Sequence, residues 1–442
     1  MRTACIDVGS TFTKGLLVDL QDGSVCGRAA AATTSDTDVM DGLQGVLQQL
    51  GATPEEPVLV CSSAGGGLRL AVIGYEDAVT ALAGHRVGLS AGARVVHVAA
   101  GRLSGADIVS LRAARPDVVL LVGGTDGGNS DVLLHNAARL AKARIAAPIV
   151  LAGNHAAATE CHTVLAATGR SVTLADNVLP RIGELAPLSA RAAIRQVFLR
   201  HVIGGKGLST GPRFAELVRM ATPDAVLQGV EVLAARRGQD ILAIDIGGAT
   251  SDVYSALIPR GEDVGVRREV SPAPRVLRTV EADLGMRWSA TGIVDAVDRE
   301  RLPLEADARD YAEVVSREIA TLPEGQVAWT HELDLARAAA IVAVRRHARA
   351  TRPGESPRAL REVGLVLGSG GVLRYAHPVA AGGVLQSVLA DHGGGWIVPA
   401  AASAAVDTAY LLFAVGLLAQ DHPEAAAALA DHVGSGYIQP LG

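Results

Sequence analysis

Two short segments far apart in the chain share an order of residue types that suits phosphate binding. The first reads IDVGST and contains Asp7, and the second reads IDIGGAT and contains Asp245. Glycine and other small residues let a phosphate lie close to the backbone, where successive N–H groups can point at its oxygens. A carboxylate repels phosphate directly, but it can hold a hydrated Mg²⁺ ion or orient an attacking water molecule. The two segments together therefore predict a site for a phosphate compound and Mg²⁺.

The same chemistry assigns roles to individual residues. Asp7 and Asp245 are candidate catalytic residues and candidate ligands of Mg²⁺, acting through water. Lys14 is a third catalytic candidate, because a second strand would return its point charge toward the phosphates. A solvated surface position is the alternative for Lys14. The residues predicted to contact the phosphates are Gly9, Ser10, Thr11, Gly247, Gly248, Ala249 and Thr250.

Each segment is followed by another apolar run with strand character rather than by a helix. A Walker A loop and a dinucleotide-binding fingerprint both open a helix, so neither kind of site is indicated. Residues 204–207, GGKG, also depart from the Walker pattern, because Gly207 rather than serine or threonine follows Lys206. One copy of either segment alone would be an ordinary turn. Two copies in matching contexts favour a functional pair.

The elements that must position these residues form two similar three-strand starts. The first start comprises apolar runs at 3–8, 15–20 and 24–31, with Asp22 and Gly23 as a hairpin turn signal. The second comprises runs at 240–246, 252–257 and 264–270. Further elements predicted around them are a helix at 36–50, a buried strand at 58–62, a buried strand at 363–367 and a closing helix at 402–420.

Between the two starts, apolar runs alternate with alanine-rich helical stretches. This alternation predicts a parallel sheet that is covered by helices on both faces. The predicted division is a first lobe at 1–75, an inserted α/β domain at 76–187, a helical connector at 188–239, a second lobe at 240–401 and C-terminal helices at 402–442 that return to the first lobe. A polar linker containing proline is expected at 351–357.

Composition excludes several classes of protein. The net charge of −6 comes without any Lys/Arg-rich run, so no nucleic-acid partner is expected. The four cysteines are far apart in sequence, which favours reduced side chains over a disulfide framework or a zinc site. The longest apolar run, at 410–419, is too short to cross a bilayer. We therefore expect a cytoplasmic protein with no membrane partner.

Three segments resemble the nucleotide-binding motifs of the actin, sugar kinase and DnaK superfamily. Residues 6–14 (IDVGSTFTK), 243–253 (AIDIGGATSDV) and 363–372 (VGLVLGSGGV) resemble its first phosphate, second phosphate and adenosine motifs. The resemblance implies an actin-like ATPase fold, which is an α/β fold with a duplicated ribonuclease H-like core, two lobes around a nucleotide cleft and an inserted α/β domain. It implies ATP and Mg²⁺ as ligands. It also implies nucleotide contacts at Gly368, Ser369, Gly370 and Gly371.

The adenosine motif leads to a specific expectation. Its glycine pair lets the nucleoside lie against the backbone. A Gly370→Val change is therefore expected to weaken ATP binding with little effect on the fold.

A narrower resemblance covers most of the chain. Five segments are similar to the glutamate mutase accessory family, called GlmL or MutL and unrelated to the mismatch-repair MutL: 61–66, 121–136, 177–180, 197–208 and 278–287. This resemblance implies an ATP-driven reactivating chaperone of an adenosylcobalamin-dependent glutamate mutase or related aminomutase. Its partners would be the mutase subunits, and a homodimer is left open. The chain lacks the Asp-x-His-x-x-Gly motif of cobalamin ligation, so it would act as a partner of the cobalamin enzyme.

Two further groups of residues are candidates. The loop GGTDGGNS lies between a predicted strand and a helix, where α/β folds bind ligands, so Thr125, Asp126 and Asn129 are candidates for partner binding. Turn chemistry alone explains this loop equally well. Glu281 is a candidate for completing the nucleotide cleft, with a structural turn as the alternative. Asp252 could serve as a ligand of a metal or a water molecule, but it lies inside a predicted strand, and we expect it to be a hydrogen-bonded structural group.

Three other functions stay open on the sequence. A small-molecule kinase would use the aspartate of the second motif as the base on a substrate hydroxyl. A dehydratase-activating ATPase resembles the first motif, but such proteins hold an iron–sulfur cluster with cysteines, and the cysteines here are isolated. The third is a non-enzymatic filament protein of the actin type.

Overall fold

The computed structural model describes most of the chain. The described residues are 1–35, 37–64, 68–91, 93–203, 207–258, 275–349, 357–358, 360–392, 394–399 and 401–435. The predicted strand at 264–270, residues 204–206 and most of the linker at 351–357 therefore lie outside the described residues. The chain divides into two compact units. The first unit comprises Met1–Gln228, Pro259–Leu277 and Phe413–Ala426, and the second unit comprises Gly229–Ile258, Arg278–Leu412 and Ala427–Gly442.

The described residues contain strands and helices in nearly every region where the sequence predicts them. The strands are β1 (Arg2–Val8), β2 (Phe12–Asp19), β3 (Val25–Ala32), β4 (Val58–Ser62), β5 (Arg69–Gly74), β6 (Arg94–Ala100), β7 (Val118–Leu121), β8 (Ile149–Leu151), β9 (Val172–Leu174), β10 (Val218–Ala221), β11 (Ile241–Ile246), β12 (Ser251–Ala256), β13 (Val276–Glu281), β14 (Leu365–Ser369) and β15 (Ser403–Val406). The helices are α1 (Val39–Leu50), α2 (Leu82–Ser90), α3 (Gly105–Ala113), α4 (Asp131–Lys142), α5 (His155–Ala166), α6 (Leu188–Val197), α7 (Arg213–Leu217), α8 (Thr222–Arg237), α9 (Ala290–Glu300), α10 (Ala306–Arg317), α11 (Gly325–Ala348), α12 (Gly371–Tyr375), α13 (Pro378–Leu389), α14 (Leu412–Leu418) and α15 (Pro423–Asp431).

Two five-stranded sheets, one in each unit, have the same strand order. The order is β3-β2-β1-β4-β10 in the first unit and β13-β12-β11-β14-β15 in the second. In both sheets the central strand is antiparallel to its hairpin partner and parallel to its other neighbour. The outer pairs β4–β10 and β14–β15 are also parallel. This repeated topology is the duplicated ribonuclease H-like core of the actin-like fold, so the predicted fold class is confirmed.

Local sequence explains how the first sheet forms. Every residue of β1 after Arg2 is buried, as expected of a central strand covered on both faces. The edge strand β3 instead alternates between more and less exposed residues, the pattern of a strand with one face toward solvent. The helix α1 begins after Asp38, whose side chain accepts the Met40 N–H, and ends at Gly51 in a left-handed conformation with φ of 62°.

The core of the second unit is built from small aliphatic side chains, as the low aromatic content predicts. The 24-residue helix α11 contributes a run of buried alanines and valines to it, including Ala338, Ala339, Ala340 and Val342. Small side chains let this helix lie close to the sheet, so the backbone at the ends of β11 and β12 is held by a continuous apolar layer.

A third sheet lies within the first unit and has the order β6-β5-β7-β8-β9, with every strand parallel to its neighbours. This is a doubly wound strand order, as the βαβ rhythm predicts. The strand β5 belongs to this sheet although the sequence boundary at residue 76 placed it in the first lobe. The predicted helical connector at 188–239 likewise contains a strand, β10, which pairs with β4.

The predicted helix at 402–420 is wrong in its first part. Ser403–Val406 form β15, which pairs in parallel with β14, and a helix begins only at Leu412. Alanine-rich sequence has high helix propensity, but pairing with a buried strand overrides propensity here. Within the described part of the chain, no helix has both the length and the apolar character needed to span a membrane.

Candidate functional site

The two glycine-containing segments form turns with the same backbone geometry. In turn 1 (residues 9–12) the Gly9 N–H donates to the Phe12 carbonyl at 3.1 Å, and in turn 2 (residues 247–250) the Gly247 N–H donates to the Thr250 carbonyl at 2.9 Å. A Cβ atom on Gly9 or Gly247 would lie 2.7 or 2.9 Å from that same carbonyl oxygen. Glycine is therefore required at the first position of each turn by close contact with its own turn.

The tips of both turns present backbone donors to solvent. Ser10, Thr11, Gly248 and Ala249 are exposed. Their N–H groups donate to no acceptor among the described residues. Exposed, adjacent N–H groups of this kind can bind the oxygens of an anion such as phosphate. The structure thus brings the predicted phosphate-contacting residues together within each turn.

Asp7 lies at the end of β1 in a row of side chains across the first sheet. Its neighbours in register are Lys14 on β2 and Cys61 on β4. The Asp7 residue is 1% exposed. Its Oδ1 atom accepts a hydrogen bond from the Thr222 hydroxyl at 2.5 Å, and the Cys61 thiol lies 3.7 Å from the same oxygen. Sequence reasoning missed Thr222, because nothing near position 222 signals proximity to a strand more than two hundred residues earlier.

Asp245 has a different setting on the second sheet. Its neighbours in register are Asp252 on β12 and Ser369 on β14. Asp252 therefore takes the place that Lys14 has beside Asp7. Asp252 is 9% exposed and pairs with Arg278, whose Nη2 lies 2.5 Å from Asp252 Oδ1. The Thr250 hydroxyl of turn 2 donates to Asp252 at 3.0 Å, so Asp252 has the structural role expected of it.

The loop after β13, residues 282–289, is bonded to the backbone of turn 2. The N–H groups of Met286 and Arg287 donate to the carbonyls of Gly247 and Gly248 at 3.0 and 2.8 Å. A Cβ atom on Gly285 would lie 2.3 Å from the Ala249 carbonyl carbon, so this glycine permits the close approach of the loop. These bonds engage the carbonyls of Gly247 and Gly248, whereas the N–H groups of Gly248 and Ala249 donate to no acceptor among the described residues.

The side chain of Arg287 fixes this loop to the helices of the second unit. Its guanidinium donates to Glu332 on α11 at 2.9 Å and to the Thr321 carbonyl at 2.9 Å. The Tyr311 hydroxyl on α10 donates to the same carboxylate at 2.8 Å. Burial, together with the Glu332 carboxylate, raises the pKa of Tyr311 well above its usual range, so the hydroxyl keeps its proton. Sequence reasoning did not identify this support.

Glu281 is engaged in an ion pair. Arg346 on α11 donates to Glu281 at 2.8 Å and to Asp283 at 2.7 Å. Burial raises the pKa of Glu281 in spite of the neighbouring guanidinium. A nucleotide contact by Glu281 stays a prediction.

The predicted adenosine motif follows β14, and its two glycines differ. Gly370 has φ of 93°, and a Cβ atom there would lie 2.2 Å from the Ile246 carbonyl oxygen at the end of β11. The expectation that Gly370→Val leaves the fold intact is therefore wrong, because the side chain would collide with the central strand. A Cβ atom on Gly371 would meet nothing within 4 Å. The guanidinium of Arg374, one helical turn on, lies 4.8 Å from the Tyr410 ring centre.

The candidate partner-binding loop of the third sheet is exposed but internally held. The Asp126 side chain accepts hydrogen bonds from the His155 N–H and the Asn177 amide, each at 2.9 Å. The Asn129 side chain accepts the Asp131 N–H at 2.9 Å at the start of α4. Asn154 is fully buried and binds both Gly127 and Gly128. These bonds make the loop a preformed surface, and partner binding by Thr125, Asp126 and Asn129 stays a prediction.

The residues at the two turns suit a Mg²⁺ ion that binds together with a phosphate ligand. Among the described residues, no group of three or more His, Cys, Asp or Glu side chains could hold a metal ion. Mg²⁺ commonly binds through one or two carboxylates together with substrate phosphates and several waters. Asp7 or Asp245 beside a turn of exposed N–H groups fits that mode of binding.

Comparison with known proteins identifies relatives of the whole chain. The sequence model described as MutL protein matches residues 3–433. The chain is 32% identical over 447 residues to Protein MutL of Clostridium tetanomorphum, and the alignment covers 95% of this chain and 96% of that protein.

Solved structures give more distant similarities. A nucleotide-free acetone carboxylase is 14% identical, with a TM-score of 0.40, covering 95% of this chain and 70% of the other. The activator of 2-hydroxyisocaproyl-CoA dehydratase from Clostridium difficile, with bound ADPNP, is 10% identical, with a TM-score of 0.34 and 98% of both chains covered. Because these TM-scores are low, the fold assignment rests on strand order and register instead.

Proposed function

We propose, from the premise that this chain belongs to the MutL protein family, that it is an ATPase serving an adenosylcobalamin-dependent glutamate mutase or related aminomutase as its reactivating chaperone. The family assignment confirms the sequence resemblance to the mutase-associated MutL proteins. The observation that supports ATP binding most is the matched pair of turns. Two glycine turns with one hydrogen-bond pattern end the central hairpins of two sheets of identical order.

The roles of the residues follow from their positions. The exposed N–H groups of turn 1 and turn 2 bind phosphate oxygens. Asp7 and Asp245 would hold water molecules, either those of hydrated Mg²⁺ or the attacking water. Lys14, next to Asp7 in register, offsets negative charge on the transferred group. Mg²⁺, when bound with ATP, would neutralise phosphate charge.

A methyl group added to turn 2 tests ATP binding. A Cβ atom on Gly248 would have only the Arg287 side chain nearby, at 3.7 Å, so Gly248→Ala keeps the turn and places a methyl beside the phosphate-binding N–H groups. We expect it to weaken Mg²⁺-ATP binding by about tenfold or more, which is at least about 1.4 kcal/mol. Isothermal titration calorimetry measures this. Gly45→Ala on α1, where a Cβ atom would meet nothing within 4 Å, is the matched control. Equal affinities of wild type and Gly248→Ala would remove turn 2 from the ATP site.

The proposed client is tested separately. The third sheet has no part in either phosphate-binding turn. Its loop at 123–130 is exposed at residues 126–129 and is held by hydrogen bonds, which suits recognition of a protein surface. A client is remodelled only if it binds one nucleotide state better than another, and a coupling of about 1–3 kcal/mol is enough.

The experiment uses a mutase holoenzyme that has been inactivated by turnover. Fresh adenosylcobalamin, Mg²⁺-ATP and this protein are added, and mutase activity is followed. We expect recovery that needs ATP and fails with Asp245→Ala. ATPase activity without binding to either mutase subunit in any nucleotide state would reject the chaperone role. Turnover that depends on an added polyol would instead indicate a kinase.

A further inference from the structure

We propose that Thr222 is a positioning residue for Asp7, whose carboxylate it holds in the orientation that serves hydrated Mg²⁺. This inference rests on the proposed function, because it assigns Asp7 to the site of ATP and Mg²⁺. The Thr222 hydroxyl donates to Asp7 Oδ1 at 2.5 Å. Thr222 is 8% exposed and Asp7 is 1% exposed, so water competes little with this bond. A hydroxyl bound to a carboxylate at such a distance makes a strong, charge-assisted hydrogen bond.

The donor is itself held in place from two sides. Thr222 follows β10 directly, and the preceding residue, Ala221, pairs in register with Ser62 on β4. Thr222 also begins the 16-residue helix α8. Two residues further on, Asp224 accepts a hydrogen bond from Arg195 on α6 at 2.5 Å, and Asp224 is 5% exposed. A hydroxyl anchored by a strand pair and a buried ion pair can fix the carboxylate that it contacts.

Cys61 is the second group at the same oxygen, and it is the weaker one. Its sulfur lies 3.7 Å from Asp7 Oδ1. A thiol is a weak hydrogen-bond donor. Of these two donors to Asp7 Oδ1, the Thr222 hydroxyl therefore makes the stronger hydrogen bond.

Three substitutions separate positioning from simple stability. Thr222→Val keeps the shape and removes the hydroxyl, and Thr222→Ser keeps the hydroxyl. Thr3→Val is the matched control, because Thr3 is fully buried at the other end of β1 and its hydroxyl donates to the Pro57 carbonyl at 2.9 Å. Thr222→Ala replaces the valine variant if that variant does not fold.

The readouts are thermal unfolding, calorimetric ATP affinity with Mg²⁺ and with EDTA, and the Mg²⁺ dependence of ATPase activity. We expect Thr222→Val to raise the Mg²⁺ concentration for half-maximal ATP binding by about 10- to 100-fold, the usual cost of losing a residue that orients a metal ligand. Its metal-free ATP affinity should not change, and Thr222→Ser should restore Mg²⁺ dependence. Thr3→Val should lower stability without changing Mg²⁺ dependence.

Two results would overturn the inference alone. One is a wild-type Mg²⁺ dependence in Thr222→Val, and the other is the same loss in Thr3→Val. If the wild-type protein binds no ATP with or without Mg²⁺, both the proposed function and this inference are rejected together.

Discussion

Arg287 connects turn 2 to the helices of the second unit, and we expect Arg287→Met to destabilise the protein and to weaken ATP binding. The Arg287 N–H donates to the Gly248 carbonyl at 2.8 Å, and its guanidinium lies 2.9 Å from Glu332 Oε1. The two side chains are only 11% and 4% exposed. Removing one partner of a buried ion pair leaves the other charge uncompensated, which costs about 3–5 kcal/mol.

The predicted loss of stability can be checked by also removing the charge of Glu332. Arg287→Met combined with Glu332→Gln removes both buried charges of this pair and keeps an acceptor for the Tyr311 hydroxyl. We expect the double variant to recover more than half of the lost stability, because a neutral pair in place of a buried ion pair often costs little. Urea unfolding followed by circular dichroism, without nucleotide, measures the free energies.

The control is an ion pair of the same type on the surface. Arg317 and Glu313 lie 2.8 Å apart on α10, and their side chains are 74% and 58% exposed. Arg317→Met should change stability little, because exposed pairs contribute little. A loss below about 1 kcal/mol in Arg287→Met, or a double variant as unstable as the single one, would refute this account of the buried pair.

Asp7→Ala and Asp245→Ala should each lower ATPase turnover by about 10² or more, since positioning dominates phosphoryl transfer. Both variants should still fold, and near-wild-type turnover in either one would exclude that residue from a catalytic role. Gly370→Val should lower the melting temperature because of its 2.2 Å approach to Ile246, whereas Gly371→Ala, with open space around it, should not; equal melting temperatures would contradict this. Hydrogen bonds from Thr210 and Met40 lower the pKa of Asp38 to about 2, so its stabilising effect should be complete above its ordinary pKa of 3.8 and disappear as the pH falls toward 2. Unfolding of wild type and Asp38→Asn across that range measures the shrinking difference.

Much of this protein was predictable from its sequence because the informative signals are local. The turn residues, the Asp–apolar–Gly order and the three-strand starts all lie within short stretches, and the structure confirms two turns of one geometry. The doubly wound sheet was also expected, since alternation of apolar runs and helical stretches is a local pattern. Helix propensity gave the wrong prediction where pairing with a distant strand determined the secondary structure. The alanine-rich segment Ser403–Val406 forms β15 because it pairs in parallel with the buried strand β14.

What only the tertiary structure decided is which distant groups meet. Spacing near Asp7 predicts a carboxylate at a strand end, but Thr222 reaches it through the pairing of β10 with β4. The glycine pair at Gly370 and Gly371 looks uniform in sequence, yet one glycine abuts β11 and the other has open space. Glu332 carries no local sign that it supports turn 2 through Arg287. Sequence determines turns and hairpins because their hydrogen bonds join near neighbours, whereas packing and long-range strand pairing set the contacts between residues that are far apart in the chain.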